Sequence, residues 1–443
     1  MMHLNRTRTL AAVGVIAMAA ASLAGCSAPK AETASAAPET ASAAPEASGP
    51  VTITYEAWGP SQAAMDKIVA DFEAANAGVK VKATLLPYAD YVTAIKTELA
   101  SGAGPDVFDL QAGGMLDEFQ SLLQPMDPLA KAQLGDNWKA SYSDAALKQA
   151  SIGDQVYGLP HGFQTAGFLW VNKSLLKKNG IDVPSTYSDL VAACKKLRSK
   201  GLVPVAIGAK DDWMDIDIFS SMSNAIAPGD QYAAMDGDGT WTTPGLVKSF
   251  DAFAAMFKDG VAQDGAVGAT TYTDTYDLFA DGKAGFFTNG SWNQDMFVSI
   301  PDRIGAFEVG VMPMPTVSGP APVIAGIGGL LAVNKTSKQQ GAAFKLAQYM
   351  AGGPGQQTRI DESLDFAVTS TPVNPTKDVG KNAADVRAEL AQMLASKSAG
   401  YREVPNAAVK SALGQALIKL AAGQIDGAAA AQQVQKAKED AGS

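Results

Sequence analysis

Chemically reactive side chains are scarce in this chain, and their types exclude most kinds of active site. The histidines are His3 and His161, and the cysteines are Cys26 and Cys194. These are too few for the His-rich or Cys-rich sets that bind zinc. The sequence also contains no His-Glu-x-x-His, Gly-x-Ser-x-Gly or Gly-Lys-Ser/Thr motif, which argues against zinc proteases, serine hydrolases and phosphate-loop enzymes. We therefore expect neither a metal nor another cofactor.

A cluster of four aspartates leaves one form of catalysis open. Asp211, Asp212, Asp215 and Asp217 lie within seven residues of sequence. A glycosidase needs only two carboxyl groups about 5–10 Å apart, so an extracytoplasmic glycosidase is one alternative for this chain. Acids so close in sequence more commonly form a solvated loop that caps a helix, and they are badly placed to flank a scissile bond from opposite sides. The pattern favours a chain that is not an enzyme.

The N-terminus has the pattern of an exported lipoprotein. Arg6 and Arg8 precede an apolar run from Leu10 to Leu23, and the run ends in Leu-Ala-Gly-Cys at Cys26. A charged start, an apolar segment too short to span a membrane comfortably and small residues at its end are typical of a secretory signal. Leu-Ala-Gly-Cys resembles the bacterial lipobox, which implies a signal peptide over residues 1–25 and fatty acylation, such as palmitate, of Cys26. The alternative is an ordinary secretory signal.

The segment from residue 26 to residue 50 has the composition of a flexible linker. It is mostly Ala, Ser, Thr, Glu and Pro, and the heptapeptide Glu32–Pro38 recurs as Glu39–Pro45. A segment without an apolar face cannot offset the entropy of ordering. As a coil it would span roughly 25–30 Å. We expect an extracytoplasmic protein held by lipid at the outer face of the cell membrane.

Net charge restricts the kinds of partner that this chain can bind, and cysteine content restricts how the fold can be stabilised. The formal net charge is −10 at pH 7, which argues against nucleic acid as a partner. With Cys26 acylated, Cys194 has no cysteine with which to form an intrachain disulfide. We expect Cys194 to be a small buried residue on a helix. Stability must therefore come from packing.

The folded part begins with alternating strands and helices. Val51–Tyr55 has the alternation of a strand, and Ser61 is placed to cap a helix that runs to Ala75. Further strands are predicted at 79–85 and 106–110, with a helix at 91–100 between them. This alternation predicts a parallel, doubly wound α/β sheet. Ligands of such sheets bind beyond the carboxyl ends of the strands, where Trp58 and Gln111 lie.

A series of short motifs from Val51 to the C-terminus resembles a known family. In order, they are Phe72–Asn76, Gly104–Val107, Val156–Pro160, Leu169–Lys173, Gly282–Gly285, Asn289–Trp292, Ala332–Lys335 and Leu420–Gly423. Their order and spacing are similar to those of bacterial extracellular solute-binding proteins of the maltose-binding-protein type. That family serves ABC importers, mostly of carbohydrates, and its lipid-tethered forms fit the lipobox.

The resemblance implies two doubly wound α/β lobes joined by three hinge crossings, with the type II topology of periplasmic binding proteins. Gly326, Gly328 and Gly329 lie at the second crossing and could supply soft backbone torsions there. Lobes hinged in this way close on a ligand between them. The implied crossings are 159–164, 325–330 and 366–372, with lobe 1 formed by 51–161 and 327–368 and lobe 2 by 162–326 and 369–443.

The resemblance also implies a sugar site, which needs aromatic side chains for ring faces and polar groups for hydroxyls. Trp292 follows a strand at 284–288, Trp213 follows a strand at 203–207, and these are the strongest candidates. Trp170 lies within an apolar strand and is assigned to the core. The expected binding residues are Trp58, Gln111, His161, Gln164, Asp211, Asp212, Trp213, Asn289, Trp292 and Gly328.

Several of these residues have a structural alternative. Asp211 and Asp212 could form a solvated helix start, Asn289 could cap the following helix, Gln111 could serve a turn, and a lone His161 is commonly structural.

The function implied is capture of a mono- or oligosaccharide and its delivery to the permease subunits of an ABC transporter by a monomeric receptor. A surface lipoprotein that binds a protein partner is the third alternative, and its aromatic side chains would then be core.

Overall fold

The computed structural model of the protein describes residues 49–371, 373–396 and 400–442. The predicted signal peptide, Cys26 and nearly all of the predicted linker lie outside the described residues. Within the described ranges, no helix combines the length and the apolar character needed to cross a membrane.

Lobe 1 is built on a five-stranded sheet with the strand order β2-β1-β3-β13-β6. Strand β1 pairs in parallel with β2 and β3, as predicted. Strand β13 is antiparallel to both β3 and β6, so the sheet is mixed rather than wholly parallel. The first elements are β1 Val51–Ala57, α1 Gln62–Ala75, β2 Val79–Leu85, α2 Tyr88–Ser101, β3 Val107–Leu110, α3 Gly114–Phe119, α4 Met126–Leu134, α5 Asp144–Gln149, β4 Ser151–Ile152, β5 Gln155–Val156 and β6 Leu159–Ala166.

Local sequence explains the first helix of lobe 1. The Ser61 hydroxyl accepts a hydrogen bond from the Ala64 N–H at 3.3 Å and so caps the N-terminus of α1. The helix buries Met65, Ile68 and Phe72 against the sheet, and these positions keep the 3.6-residue period of an amphipathic helix. The predicted helix and the strand at 79–85 are therefore confirmed.

Lobe 2 is built on a four-stranded sheet with the strand order β10-β7-β9-β8. Strands β8 and β9 are parallel, whereas β7 is antiparallel to β9 and to β10. The elements up to β12 are β7 Phe168–Asn172, α6 Lys173–Lys178, α7 Tyr187–Arg198, β8 Val203–Ala206, α8 Asp212–Ile226, α9 Asp230–Met235, α10 Pro244–Lys258, α11 Tyr276–Ala280, β9 Ala284–Thr288, α12 Met296–Ser299, α13 Pro301–Ile304, β10 Val309–Pro313, β11 Pro315–Thr316 and β12 Gly319–Pro320.

The last part of the chain contributes to both lobes. Helix α14 buries Phe344 in the core of lobe 1, whereas α16 buries Val386 and α17 buries Leu417 in the cores of lobe 2. These elements are β13 Ile324–Val333, α14 Gln340–Ala351, α15 Gly355–Ser363, α16 Gly380–Ser396, α17 Ala407–Ala421 and α18 Gly427–Asp440. The residue boundaries of the lobes stay a prediction.

The three expected crossings lie side by side. Strands β6 and β13 pair along their lengths, from Ile324 opposite Ala166 to Leu331 opposite Leu159. The third segment joins them where the Phe163 N–H donates to the Phe366 carbonyl at 2.6 Å. The lobes are therefore connected by a short three-stranded ribbon.

The glycines of the second crossing have a packing role, and the hinge role expected for them stays a prediction. Gly326, Gly328 and Gly329 are not among the residues with positive φ. A Cβ on Gly328 would lie 2.7 Å from the Gln164 side chain, and one on Gly329 would lie 2.8 Å from the His161 ring. These glycines make room for two side chains of the neighbouring strand.

The assignments of Trp170 and Cys194 to the core are confirmed. Trp170 in β7 is fully buried, and its indole N–H donates to the Gly290 carbonyl at 3.3 Å. Cys194 is buried on α7. Burial raises the pKa of its thiol to about 12, so the thiol stays protonated and unreactive.

Candidate functional site

A cavity of about 750 Å³ lies between the two lobes. Residues of both lobes line it, at the ends of β1, β3, β8 and β9 and on the crossing strands β6 and β13. This is where ligand sites of α/β folds form. Aromatic and charged side chains dominate the lining, namely Trp58, Tyr88, Trp213, Tyr272, Tyr276 and Trp292, and Asp109, His161, Asp295, Arg359, Glu362, Asp365 and Arg402.

The aromatic rings form a connected wall that runs from one lobe to the other. In lobe 1, the rings of Trp58 and Tyr88 pack edge to face with centroids 5.5 Å apart. Tyr88 meets Trp213 of lobe 2 at 6.0 Å. Trp213 then stacks on Tyr272 at 5.9 Å and lies 6.1 Å from Trp292. Such a wall offers flat apolar faces to a ligand.

Trp292 is held by its own loop and by a cation. Its ring lies over Gly290, where a Cβ would come 2.0 Å from the indole. The guanidinium of Arg402 lies 4.5 Å from the ring centroid, within the range of a cation–π interaction. The buried indole Nε1 has no hydrogen-bond partner among the described residues.

Arg402 belongs to a buried charge network that reaches lobe 1. Its guanidinium makes hydrogen bonds of 2.9–3.1 Å to Asp217 and an ion pair of 3.1 Å with Glu403. Lys410 pairs with Glu403 at 2.7 Å and donates to Gln111 Oε1 of lobe 1 at 3.4 Å. Although burial opposes it, the charges of Lys410 and Arg402 hold the pKa of Glu403 below its ordinary value.

Polar side chains form a second part of the lining, which we call the polar wall. Arg359 of α15 lies 2.8 Å from His161 Nδ1. Burial and the charge of Arg359 lower the pKa of His161, so the ring is neutral. An always-protonated guanidinium can only donate, so Nδ1 accepts and the proton sits on Nε2. This N–H faces Asp109, whose Oδ1 is 3.5 Å away.

Asp365 and Asp295 add two carboxyl groups to the polar wall. Gln164 Nε2 donates to Asp365 Oδ2 at 2.8 Å, and Asp365 Oδ1 has no partner among the described residues. Burial raises the pKa of Asp365 to about 6. Burial and the charge of Asp365 raise the pKa of Asp295 to about 7. Both groups can accept hydrogen bonds from hydroxyls when ionised and donate one when protonated.

The structure brings most of the predicted site residues together. The residues that line the cavity are Trp58, Gln111, His161, Gln164, Trp213, Trp292 and Gly328. Three do not line it. Asp211 accepts a hydrogen bond from the Thr271 N–H at 2.7 Å, Asp212 packs against Gly414 of α17, and Asn289 bonds Gly290 and Asn293.

The aspartate cluster is not the solvated loop that was expected. Asp211 precedes α8 without a side-chain capping hydrogen bond. Asp215 is fully buried with both carboxyl oxygens unpartnered among the described residues, and burial raises its pKa well above the ordinary value. Asp217 is also buried and binds Arg402.

Sequence reasoning did not find Tyr88, Asp109, Tyr272, Asp295, Arg359, Asp365 or Arg402. Asp109 could have been found, because it lies on β3 two residues before Gln111, which follows the strand. Arg359 and Arg402 carry no comparable pattern, because their partners His161 and Asp217 lie 198 and 185 residues away in sequence.

Known proteins resemble this chain over most of its length. Residues 57–357 match the family model described as bacterial extracellular solute-binding protein. A multiple sugar-binding protein of Streptococcus mutans is 25% identical over 360 residues, which cover 79% of this chain and 80% of that protein. A galactooligosaccharide-binding protein of Bacillus subtilis is 24% identical over 351 residues, 76% of each chain.

Two solved structures share the fold. One comes from a study of xylan utilization by Caldanaerobius polysaccharolyticus, with a TM-score of 0.74 and 21% identity over 87% of this chain and 99% of that chain. The other is maltose-bound MalE3 of T. maritima, with a TM-score of 0.71 and 20% identity over 88% of this chain and 99% of that chain.

Proposed function

The chain belongs to the bacterial extracellular solute-binding protein family, and from this premise we propose that it captures a carbohydrate in the cavity between its lobes. The observation that carries the proposal is the pairing of the two walls in one cavity. The connected aromatic wall offers faces for the C–H patches of a sugar ring. The polar wall offers unpartnered polar atoms for the hydroxyls of the sugar.

The polar wall holds both donors and acceptors for hydroxyl groups. Arg359 has an unpartnered NH1 among the described residues, and Asp109 Oδ2 and Asp365 Oδ1 are unpartnered acceptors. A buried polar group without a partner costs free energy, so a ligand that supplies hydroxyls at these atoms is stabilised. An analogue whose hydroxyls point elsewhere leaves the same atoms unpaired and is rejected.

Closure of the lobes is the step that would connect binding to transport. A ligand that contacts both walls favours the closed arrangement by its differential affinity for the two states. A permease that opens the lobes would then release the sugar. We propose that the receptor is a monomer, is held at the outer face of the cell membrane by lipid on Cys26, and delivers its sugar to the permease subunits of an ABC transporter.

Thermal unfolding of the purified protein against a panel of mono- and oligosaccharides, polyols, amino acids and peptides tests the proposal. A ligand that binds only the folded state, at a hundred times its dissociation constant, adds about 2.7 kcal/mol of stability. We expect one class of sugar to raise the melting temperature and to be recovered chemically unchanged. Cleavage of the sugar would favour a glycosidase, and no shift with any sugar would contradict the proposal.

A further inference from the structure

Resting on the proposed function, we propose that the carbohydrate carries a basic nitrogen, as in an amino sugar, and that its ammonium group binds beside Asp295 and Asp365. The rings of Tyr272 and Tyr276 line the same cavity. We name this part of the cavity, formed by these four side chains, the acidic subsite.

The Asp365 carboxyl group has an oxygen that accepts no hydrogen bond. Its side chain is 7% exposed, it lines the cavity, and Oδ1 has no partner among the described residues. Gln164 serves only the other carboxyl oxygen. Arg387 donates to the backbone carbonyl of Asp365 at 3.4 Å and lies over the ring of Phe366. Burial outweighs the charges of Arg359 and Arg387, which lower the pKa of Asp365, and Arg387 makes no hydrogen bond to Oδ1.

Asp295 supplies the second carboxyl group of the acidic subsite. It is half-buried on the cavity wall. It lines the cavity together with the rings of Tyr272 and Tyr276, and the residue before it, Gln294, donates to the carbonyl of Leu364, the residue before Asp365, at 3.2 Å. Burial and the charge of Asp295 both raise the pKa of the Tyr272 and Tyr276 hydroxyls. The charge of Asp365 also acts on Asp295. Two neighbouring carboxyl groups next to aromatic rings match an ammonium group, which both kinds of group attract.

Most of the positive charge around the cavity is already matched. Arg402 is engaged by Asp217 and Glu403. Glu362, a further carboxylate on the cavity wall, is paired with Lys377. Neither Arg402 nor Lys377 therefore supplies an unpaired positive charge that would offset the acidic subsite.

What remains on the lining is an excess of acid. Asp109, Asp295 and Asp365 line the cavity with one cation that has no ion pair among the described residues, Arg359, and His161 beside it is neutral. Asp295, with its pKa of about 7, carries part of a charge near pH 7. Removing this excess charge from water is costly unless a cation accompanies it. A neutral sugar leaves the excess in place, whereas a ligand ammonium group reduces it.

A metal ion is not the cation that fits. Among the described residues, no group of three or more His, Cys, Asp or Glu side chains is arranged to hold one. Two carboxyl groups beside two phenol rings suit an organic cation with C–H groups around its charge. An ammonium group on a sugar ring has this form.

Matched sugars provide the test. Titration calorimetry compares disaccharides of glucosamine with their N-acetylated and hydroxyl counterparts, and repeats the comparison for galactosamine, N-acetylgalactosamine and galactose. We expect an amine to bind at least about tenfold more tightly than its two neutral counterparts, as for hydrogen bonds to charged groups. Neutral sugars that bind as tightly as every amine would overturn this inference and leave the proposed function standing. A panel in which no sugar binds would overturn both.

Two variants locate the effect. Asp295→Asn keeps the shape of the side chain and removes its charge, so the ratio of the affinity for the amine to the affinity for the neutral sugar falls about tenfold. Asp302→Asn removes an exposed aspartate of α13 in the same lobe and retains the preference. Equal loss in the two variants, or full preference in Asp295→Asn, would contradict the acidic subsite.

Release of a proton from Asp295 when the sugar binds would distinguish an ammonium group beside the carboxyl group from stacking on the aromatic rings alone. Near pH 7, Asp295 with its pKa of about 7 is partly protonated, and an ammonium group brought beside it lowers that pKa and displaces a proton. Asp365, whose pKa burial raises to about 6, is mostly ionised at this pH, and the hydroxyls of Tyr272 and Tyr276, whose pKa burial raises, stay protonated. Calorimetry in buffers of different ionisation enthalpy would detect release for the amine. Release that is the same for amine and neutral sugar would contradict the inference.

Discussion

Trp292 is the side chain that joins the aromatic wall to the buried charge network. Its ring lies 6.1 Å from Trp213 and 4.5 Å from the guanidinium of Arg402. Arg402 is independently fixed by Asp217. The indole can therefore be removed without freeing the cation, and its loss affects mainly the surface offered to the ligand.

We expect Trp292→Ala to weaken sugar binding by about 1–3 kcal/mol, the range for loss of an aromatic contact at the centre of a binding site. Titration calorimetry measures the affinity, and circular dichroism checks that the fold is retained. Trp138→Phe is the control, because Trp138 is buried in the core of lobe 1 and does not line the cavity. Wild-type affinity in Trp292→Ala would remove Trp292 from the binding site.

Glu56 makes stability depend on pH. It is 8% exposed on β1, and Oε1 has no partner among the described residues. Burial, followed by the charge of Glu98, raises its pKa from 4.5 to about 7. The folded state thus holds a proton that the unfolded state releases. This contribution to stability is present below pH 4.5 and is lost as pH rises to about 7.

We expect Glu56→Gln to be more stable than the wild type at pH 8, because the amide never pays for burial of a charge. The advantage at pH 8 exceeds that at pH 5 by about 2 kcal/mol. Urea unfolding of both proteins at the two pH values measures the free energies. An advantage that is the same at pH 5 and pH 8 would show that Glu56 does not titrate in this range.

At the scale of elements, the paired crossing strands β6 and β13 position the polar wall. His161 and Gln164 project from β6 over glycines of β13, since a Cβ on Gly329 would lie 2.8 Å from His161 Nε2 and one on Gly328 2.7 Å from Gln164. The same His161 ring is tied to Arg359 through Nδ1. A side chain on β13 would therefore displace the polar wall while leaving the pairing of the strands possible.

Gly329→Ala tests this role. The new methyl group pushes the His161 ring out of its place, which costs about 1–3 kcal/mol as overpacking does and weakens sugar binding through the loss of the contact with Arg359. Thermal unfolding and titration calorimetry measure the two effects. Gly268→Ala is the control, because a Cβ there has nothing within 4 Å. Unchanged affinity in Gly329→Ala would show that His161 does not position the site.

The sequence predicted those parts of the site that lie at strand ends. Trp58 and Trp213 were found because each follows a strand with a clear local pattern, and this placement brings residues to the same edge of a sheet. Asp211 and Asp212 shared that position but point away, since side-chain direction at a helix start depends on tertiary packing. Arg359 and Asp365 were missed because their partners His161 and Gln164 lie 198 and 201 residues away in sequence, so only tertiary packing brings them together.

At the scale of the whole molecule, contacts across the cleft hold the lobes together. The Gly114 N–H at the start of α3 donates to the Val404 carbonyl of lobe 2 at 2.8 Å. Nearby, the Ala407 N–H at the start of α17 donates to Asp117 at 3.2 Å. Together with the contact between Tyr88 and Trp213, these hydrogen bonds connect the two lobes across the cleft.

Gly114→Val separates closure from folding. A Cβ at Gly114 would lie 3.1 Å from Lys410 Cδ and 3.2 Å from the Ala407 Cα, so a branched side chain collides with lobe 2 when the lobes close. Each lobe keeps its own core, and every 1.4 kcal/mol by which the closed state is disfavoured lowers the apparent affinity about tenfold. We expect weaker sugar binding and, by small-angle X-ray scattering, a larger radius of gyration than the wild type with saturating sugar. Gly114→Ala is expected to have a sugar affinity and a radius of gyration between those of the wild type and the valine variant. If the valine variant were as compact as the wild type and bound sugar equally well, the contact between α3 and α17 would have no part in closure.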